Sequence, residues 1–252
     1  MSAFSQVKPK TRTRVIAVVC CALLFGGVAG PNARLLAQET EPLPDGAAIL
    51  KSVRQAQASL HQVFQGKLRK GNRQLAYRMV MDGSVLRFEF PAAEAKEPSV
   101  VVVRSGAFDV SLEVRDRDGA LLPVRFDEEV AGMGVTYEDL ALRFLSWPGA
   151  VAEGDERLML SKCWKLRVKR PNGSASGYHE VVLWVGQSNG AFLKSEAYGA
   201  GGVLLRRLTV RSLGTVNGMT TLKQLRIESP QAGGEPTYLD VDVDPTGVRP
   251  NR

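Results

Sequence analysis

The densest set of groups that could do chemistry is Asp240-Val241-Asp242-Val243-Asp244, which on a strand would put three carboxylates on one face. A calcium loop would want glycine where Pro245 stands and glutamate where Asn251 stands. The run therefore reads as an amphipathic edge strand whose charges face water and protect the edge. His61 and His179 are the only histidines, one in a helical stretch and one at a strand start, with no acid or cysteine at metal-ligand spacing. No Gly-x-Ser-x-Gly elbow occurs, and Gly199-Ala200-Gly201-Gly202 lies between two strands instead of opening a helix, so it reads as a hairpin and not a phosphate cradle. With no nucleophile, acid/base pair or ligand set to assemble, the expectation is a protein that is not an enzyme, with no catalytic residues, metal or cofactor.

The N-terminus carries Lys8, Lys10, Arg12 and Arg14, and then no charge from Val15 to Ala33. Charge followed by an apolar run is the layout of a secretory signal peptide, with cleavage expected after Ala37. A retained membrane anchor is the alternative, because the segment nearly reaches spanning length; Gly26, Gly27, Gly30 and Pro31 interrupt it and favour removal. Bulky Val19 before Cys20, and an apolar stretch that runs past Cys21, speak against lipidation at either cysteine. Removal of residues 1–37 takes five of the 33 basic residues and none of the 26 acidic ones, so the mature charge falls to 28 against 26. The overall charge of +7 thus belongs largely to the export segment, and no basic patch interleaved with aromatics remains for nucleic acid. Only Cys163 survives the cut, which excludes an internal disulfide.

The elements follow from periodicity. Asp45 is an N-cap, and Ile49, Val53, Ala56, Leu60, Val63 and Phe64 recur at helical spacing, which predicts one amphipathic helix over Asp45 to Gln65. Its polar side, Lys51, Arg54, Gln55 and Gln62, is expected to face solvent. Period-two alternation then begins at Leu75, Tyr77, Met79 and Met81, turns at Asp82-Gly83, and returns through Leu86, Phe88 and Phe90 to Pro91. Val100 to Arg104 and Ser111 to Arg115 read as strands, and Thr136 to Phe144 as a short capped helix closed by Trp147-Pro148-Gly149. Strands resume at Cys163–Lys169, Glu180–Val185, Phe192–Tyr198, Val203–Ser212, Met219–Glu228 and Tyr238–Val243. A meander with one long helix before it and a short one within it predicts a mainly β (α+β) sheet curled around its helices. The expected organisation is a signal peptide at 1–37, a flexible mature N-terminus at 38–44, one domain at 45–244 and a C-terminal tail at 245–252.

Several stretches of the second half carry a resemblance. Thr136-Tyr137-Glu138-Asp139-Leu140, Cys163-Trp164-Lys165-Leu166, His179-Glu180-Val181-Val182-Leu183-Trp184-Val185, Phe192 to Tyr198, Gly202 to Val210 and Val216-Asn217-Gly218-Met219 follow one another in the order of the outer membrane lipoprotein-sorting family, the LolA-like superfamily. The similarity spans about Val130 to Val243; upstream only the order of elements agrees. Gly186-Gln187-Ser188 stands where many relatives have aspartate, and Met219-Thr220-Thr221 where they have Trp-Thr-Pro. Both departures fall at turns or strand starts, where they weaken the match without moving the fold.

The resemblance implies an unclosed antiparallel β-barrel, a half-barrel with helices in its mouth, whose apolar cavity holds acyl chains of lipoproteins or lipids. It implies no catalytic residues. Adaptable walls suit such cargo, which makes Met79, Met81, Phe88 and Phe90 candidates if their faces point inward. Val53, Leu60 and Phe64 on the covering helix, with Tyr77, Leu140 and Phe144, complete the candidate lining. The same residues could instead fill a closed core. The expected function is a periplasmic, monomeric carrier of acyl chains between membranes, with a membrane or an envelope protein as transient partner and no nucleic acid. The alternative is a protein-binding sensor on the same scaffold.

Overall fold

The computed structural model describes residues 42–91, 97–106, 109–158, 160–216 and 219–242. The expected export segment, the expected C-terminal tail and the turn expected at Asn217-Gly218 lie outside them.

Helix α1, Gly46–Ala58, opens where the Asp45 carboxylate accepts the Ala47 amide at 2.9 Å, and buries Leu50 and Val53 one turn apart. It is shorter than its sequence pattern predicts. After Ser59 the chain turns extended, and His61–Lys70 forms strand β1. Leu60, Phe64 and Leu68 are spaced by four, which is about one turn of a helix and also two full periods of a strand. Apolar spacing alone therefore fits both. Pairing decides: β1 folds onto β2, Arg73–Asp82, through a two-residue Gly71-Asn72 turn and receives another strand on its other side, so its backbone groups are bonded along both edges.

Strands β3 (Val85–Glu89), β4 (Val100–Ser105) and β5 (Val110–Arg115) extend the meander outward from β2. After a crossover carrying α2 (Tyr137–Ala141) and a 3₁₀ turn (Arg143–Ser146), a second meander runs through β6 (Val151–Leu158), β7 (Ser161–Lys169), β8 (Glu180–Gly186), β9 (Phe192–Tyr198), β10 (Leu204–Val216), β11 (Met219–Glu228) and β12 (Thr237–Asp242). The two meanders join where β12 pairs antiparallel with β1. Among the described residues the result is one 12-stranded unclosed antiparallel sheet with β5 and β6 as its edges. This order explains the internal helices: the chain leaving β5 must reach β6 at the opposite edge, and the short route crosses the concave face.

Register shows which side faces inward, because directly opposed residues share a face. One row runs Phe64, Met79, Phe88, Val101, Val114 across β1 to β5. Another runs Ile227, Leu208, Ser195, Leu183, Leu166, Ala152 from β11 to β6. These rows form the apolar concave face. The alternating positions carry ion pairs, among them Arg207 with Glu196 at 3.0 Å and Arg78 with Glu89 at 2.9 Å. Glu196 is held at about 2: burial opposes its charge, but bonds from Tyr198, Lys194 and Arg207 outweigh it. Strand β12 is central, not an edge. Asp240 accordingly is no free surface acid; it accepts from Arg69 and, at 2.7 Å, from Gln224, whereas Asp242 is exposed.

Candidate ligand cavity

Helix α1 crosses the open side of the curled sheet. At its start, Gly46 presses on the chain entering β6, where an added Cβ would lie 2.7 Å from the Ala150 carbonyl oxygen. Beyond its end, the Gly83 amide donates to the Leu60 carbonyl at 3.1 Å, which ties the helix to the β2–β3 turn. Leu50 and Val53 pack in one cluster with Phe144, Leu145, Leu166, Val181 and Leu183. The Arg54 guanidinium donates to the Leu145 carbonyl at 2.8 Å.

Beside this contact α1 stands off from the sheet, and a cavity of about 720 Å³ lies between them. Its apolar wall comes from Met81, Leu86 and Val103 on the sheet, and from Leu140, Leu142 and Leu145 on the crossover. The helix contributes Ala47, Ala48 and Ala58, whose short side chains leave the space unfilled, with Lys51, Arg54 and Gln55 alongside. Lys51 and Gln55 are exposed as expected and stand at the cavity's rim, Arg54 is half-buried beside it, and Gln62 belongs to β1. The volume falls in the range of about 300–1,000 Å³ usual for small-molecule sites. A second, shallower cleft lies against edge strand β5, between Leu112 and the Leu121-Leu122 segment.

A buried polar network fixes the crossover. Thr136 and Asp139 form a capping box, the hydroxyl accepting the Asp139 amide at 3.1 Å and the carboxylate accepting the Thr136 amide at 3.0 Å. The same carboxylate, 0 % exposed, accepts the Tyr178 hydroxyl at 2.6 Å and lies 3.1 Å from Arg206 Nε of β10. Arg206 also donates to the Gly134 carbonyl, so one guanidinium holds both the helix cap and the preceding loop. Neighbouring Glu138 is pushed above the ordinary carboxylate value by burial, which the Ser176 hydroxyl at 2.5 Å and Arg143 at 3.9 Å only partly offset. Between α2 and the 3₁₀ turn, Leu142 takes a left-handed backbone with φ 43°, a conformation uncommon outside glycine. That kink lets Leu140, Leu142 and Leu145 all reach the cavity.

The ten candidates drawn from the sequence divide cleanly. Met81 and Leu140 line the cavity. Phe64, Tyr77, Phe88 and Phe90 are buried in packed core, with Tyr77 edge-on to Phe88 at 5.4 Å and Phe88 stacked on Phe90 at 6.3 Å. Met79 is half-buried against that cluster. The Tyr77 hydroxyl donates to the Asp240 carbonyl at 2.8 Å, passing over Gly66, where any Cβ would come within 2.6 Å of it. Val53 and Phe144 are buried beneath α1. Leu60 is half-buried at the junction of α1 and β1, outside the cavity wall. Sequence reasoning missed Ala47, Ala48, Ala58, Leu86, Val103, Leu142 and Leu145; the alanines of α1 were the available signal. Among the described residues, no three His, Cys, Asp or Glu side chains gather to hold a metal, and no helix is long and apolar enough to cross a membrane.

A protein-family pattern described as an uncharacterized protein matches residues 125–243. No curated protein matches the chain. Among solved structures, a putative outer membrane lipoprotein-sorting protein domain from Vibrio parahaemolyticus is similar at 16 % identity and a TM-score of 0.67, over 79 % of this chain and 90 % of that one. A DUF1329 family protein from Desulfovibrio piger is similar at 17 % identity and a TM-score of 0.61, over 79 % and 92 %. A LolA superfamily protein from Nitrosomonas europaea is similar at 18 % identity and a TM-score of 0.60, over 80 % and 93 %. The unclosed sheet, the crossover helix on its concave face and these likenesses together give this chain the LolA-like fold.

Proposed function

We propose that this chain is an exported cell-envelope protein that binds acyl chains of lipoproteins or lipids and carries them between membranes, without catalysing a reaction. The observation that supports this most directly is the cavity between α1 and the sheet, with its wall of Met81, Leu86, Val103, Leu140, Leu142 and Leu145 under a helix of small residues. Flexible leucine and methionine walls suit a flexible hydrocarbon. The residues before Gln38 serve as the export signal, residues 45–244 form the binding domain, and the protein acts as a monomer.

Ala48→Trp tests the reading. Ala48 is exposed on α1 and borders the cavity, so an indole there should fill the space and leave the fold intact, changing stability by no more than about 0.5 kcal/mol. A fluorescent fatty-acid probe should bind the wild type and lose at least about tenfold in affinity on the variant, a difference of about 1.4 kcal/mol. Lipid should also appear by mass spectrometry after organic extraction of the mature protein. Absence of bound lipid and of probe binding in the wild type, with a stoichiometric protein partner in its place, would replace the carrier by a protein-binding module.

A further inference from the structure

The cavity has a charge pattern that its apolar wall does not require. Three charged residues border it: Asp45, Lys51 and Arg54. Asp45 is the N-cap, its carboxylate engaged by the Ala47 amide, and lies six residues from Lys51, roughly 9 Å along a helix axis. Lys51 and Arg54 are three apart and share one side of α1. Neither has an ion-pair partner among the described residues, although the sheet outside the cavity is laced with such pairs. Arg54 is half-buried and its guanidinium is held against the Leu145 carbonyl at 2.8 Å, so it is a positioned cation with further N–H donors unused by any carboxylate. A half-buried cation beside an apolar space is stabilised by an anion, because the lowered local dielectric strengthens the attraction.

We infer that the cavity selects anionic amphiphiles: the hydrocarbon lies along Met81, Leu86, Val103 and Leu140, and a carboxylate or phosphate head is held by Lys51 and Arg54. This rests on the acyl-binding reading and narrows it, since an uncharged acylated glycerol head would gain nothing from the two cations. The shared chemistry is a headgroup oxyanion attached to an apolar tail. It can come from a free fatty acid or from a phospholipid.

Displacement of a fluorescent fatty-acid probe by dodecanoate, dodecyl phosphate and dodecanol tests the inference on wild type, Arg54→Gln, Arg54→Lys and the double variant Lys51→Gln/Arg54→Gln. Both anions should displace better than dodecanol on the wild type, by about ten- to a hundredfold, the worth of a charge-assisted hydrogen bond or two. The advantage should fall in Arg54→Gln, return in part in Arg54→Lys, vanish in the double variant and shrink with added salt. Melting temperatures of all variants should stay within a few degrees of the parent. A clear preference for dodecyl phosphate would name a phospholipid as the source, and a preference for dodecanoate a fatty acid; either supports the selection. Equal displacement by the alcohol and the anions, unchanged in the double variant, overturns anion selection and leaves acyl binding standing. Failure of every compound, with no probe bound to the wild type, overturns both.

Discussion

Replacing Asp139 by alanine removes three bonds at once: the contact to Arg206 at 3.1 Å, the acceptor for Tyr178 at 2.6 Å and the return arm of the capping box at 3.0 Å. The first should dominate. Arg206 is 11 % exposed, and breaking a buried pair from one side strands a charge at a cost of about 3–5 kcal/mol. A whole domain is stable by about 5–15 kcal/mol, and in a domain of this size each kcal/mol moves the melting temperature by about 2–4 °C. Asp139→Ala should therefore cost about 4 kcal/mol and lower the melting temperature by roughly 8–16 °C. Arg206→Met should cost less, because Asp139 keeps the Tyr178 hydroxyl and the Thr136 amide. The double variant leaves no orphan charge, so it should fall short of the sum of the singles by about 1–3 kcal/mol. Urea titration of the four proteins completes the cycle. A cost under about 1 kcal/mol for Asp139→Ala, or additivity within about 0.5 kcal/mol, would refute the view that this pair pins α2 to β10.

Two further outcomes are expected. Burial raises the folded carboxyl of Glu138, so the folded state binds its proton more readily than the unfolded chain; that contribution is full below the unfolded value and is lost as pH rises through the raised one. Glu138→Gln should thus be more stable than the parent at neutral pH and level with it in acid, and melting curves across that window that run parallel would contradict this. For export, N-terminal sequencing of the secreted protein should begin at or near Gln38; recovery of Met1 or Ser2 in a membrane fraction would instead make the segment an anchor.

Local patterns in the sequence determined most of the sheet. In Val85–Glu89, for example, Leu86 and Phe88 alternate with Arg87 and Glu89, and the Gly83-Ser84 turn after Asp82 uses local chemistry that needs no distant partner. The capped segment at Thr136 is legible for the same reason, since the capping box closes within four residues. What the sequence could not decide depended on neighbours far along the chain. The spacing of Leu60, Phe64 and Leu68 suits a helix or a strand, and only pairing with β2 and β12 makes His61–Lys70 extended. Asp240 carries the signature of an edge, yet Arg69 and Gln224 surround it because strands β1 and β12 meet at the middle of the sheet. The same holds for the cavity. Tyr77, Phe88 and Phe90 are as apolar as Met81 and Leu140, but hydrophobicity says only that a side chain leaves water, not whether it meets another side chain or a space. That choice was made by the path of the β5–β6 crossover and the stand-off of α1, and the same geometry brought Arg54, half-buried, from the expected solvent face to the border of the cavity, while Lys51 stays exposed at its rim.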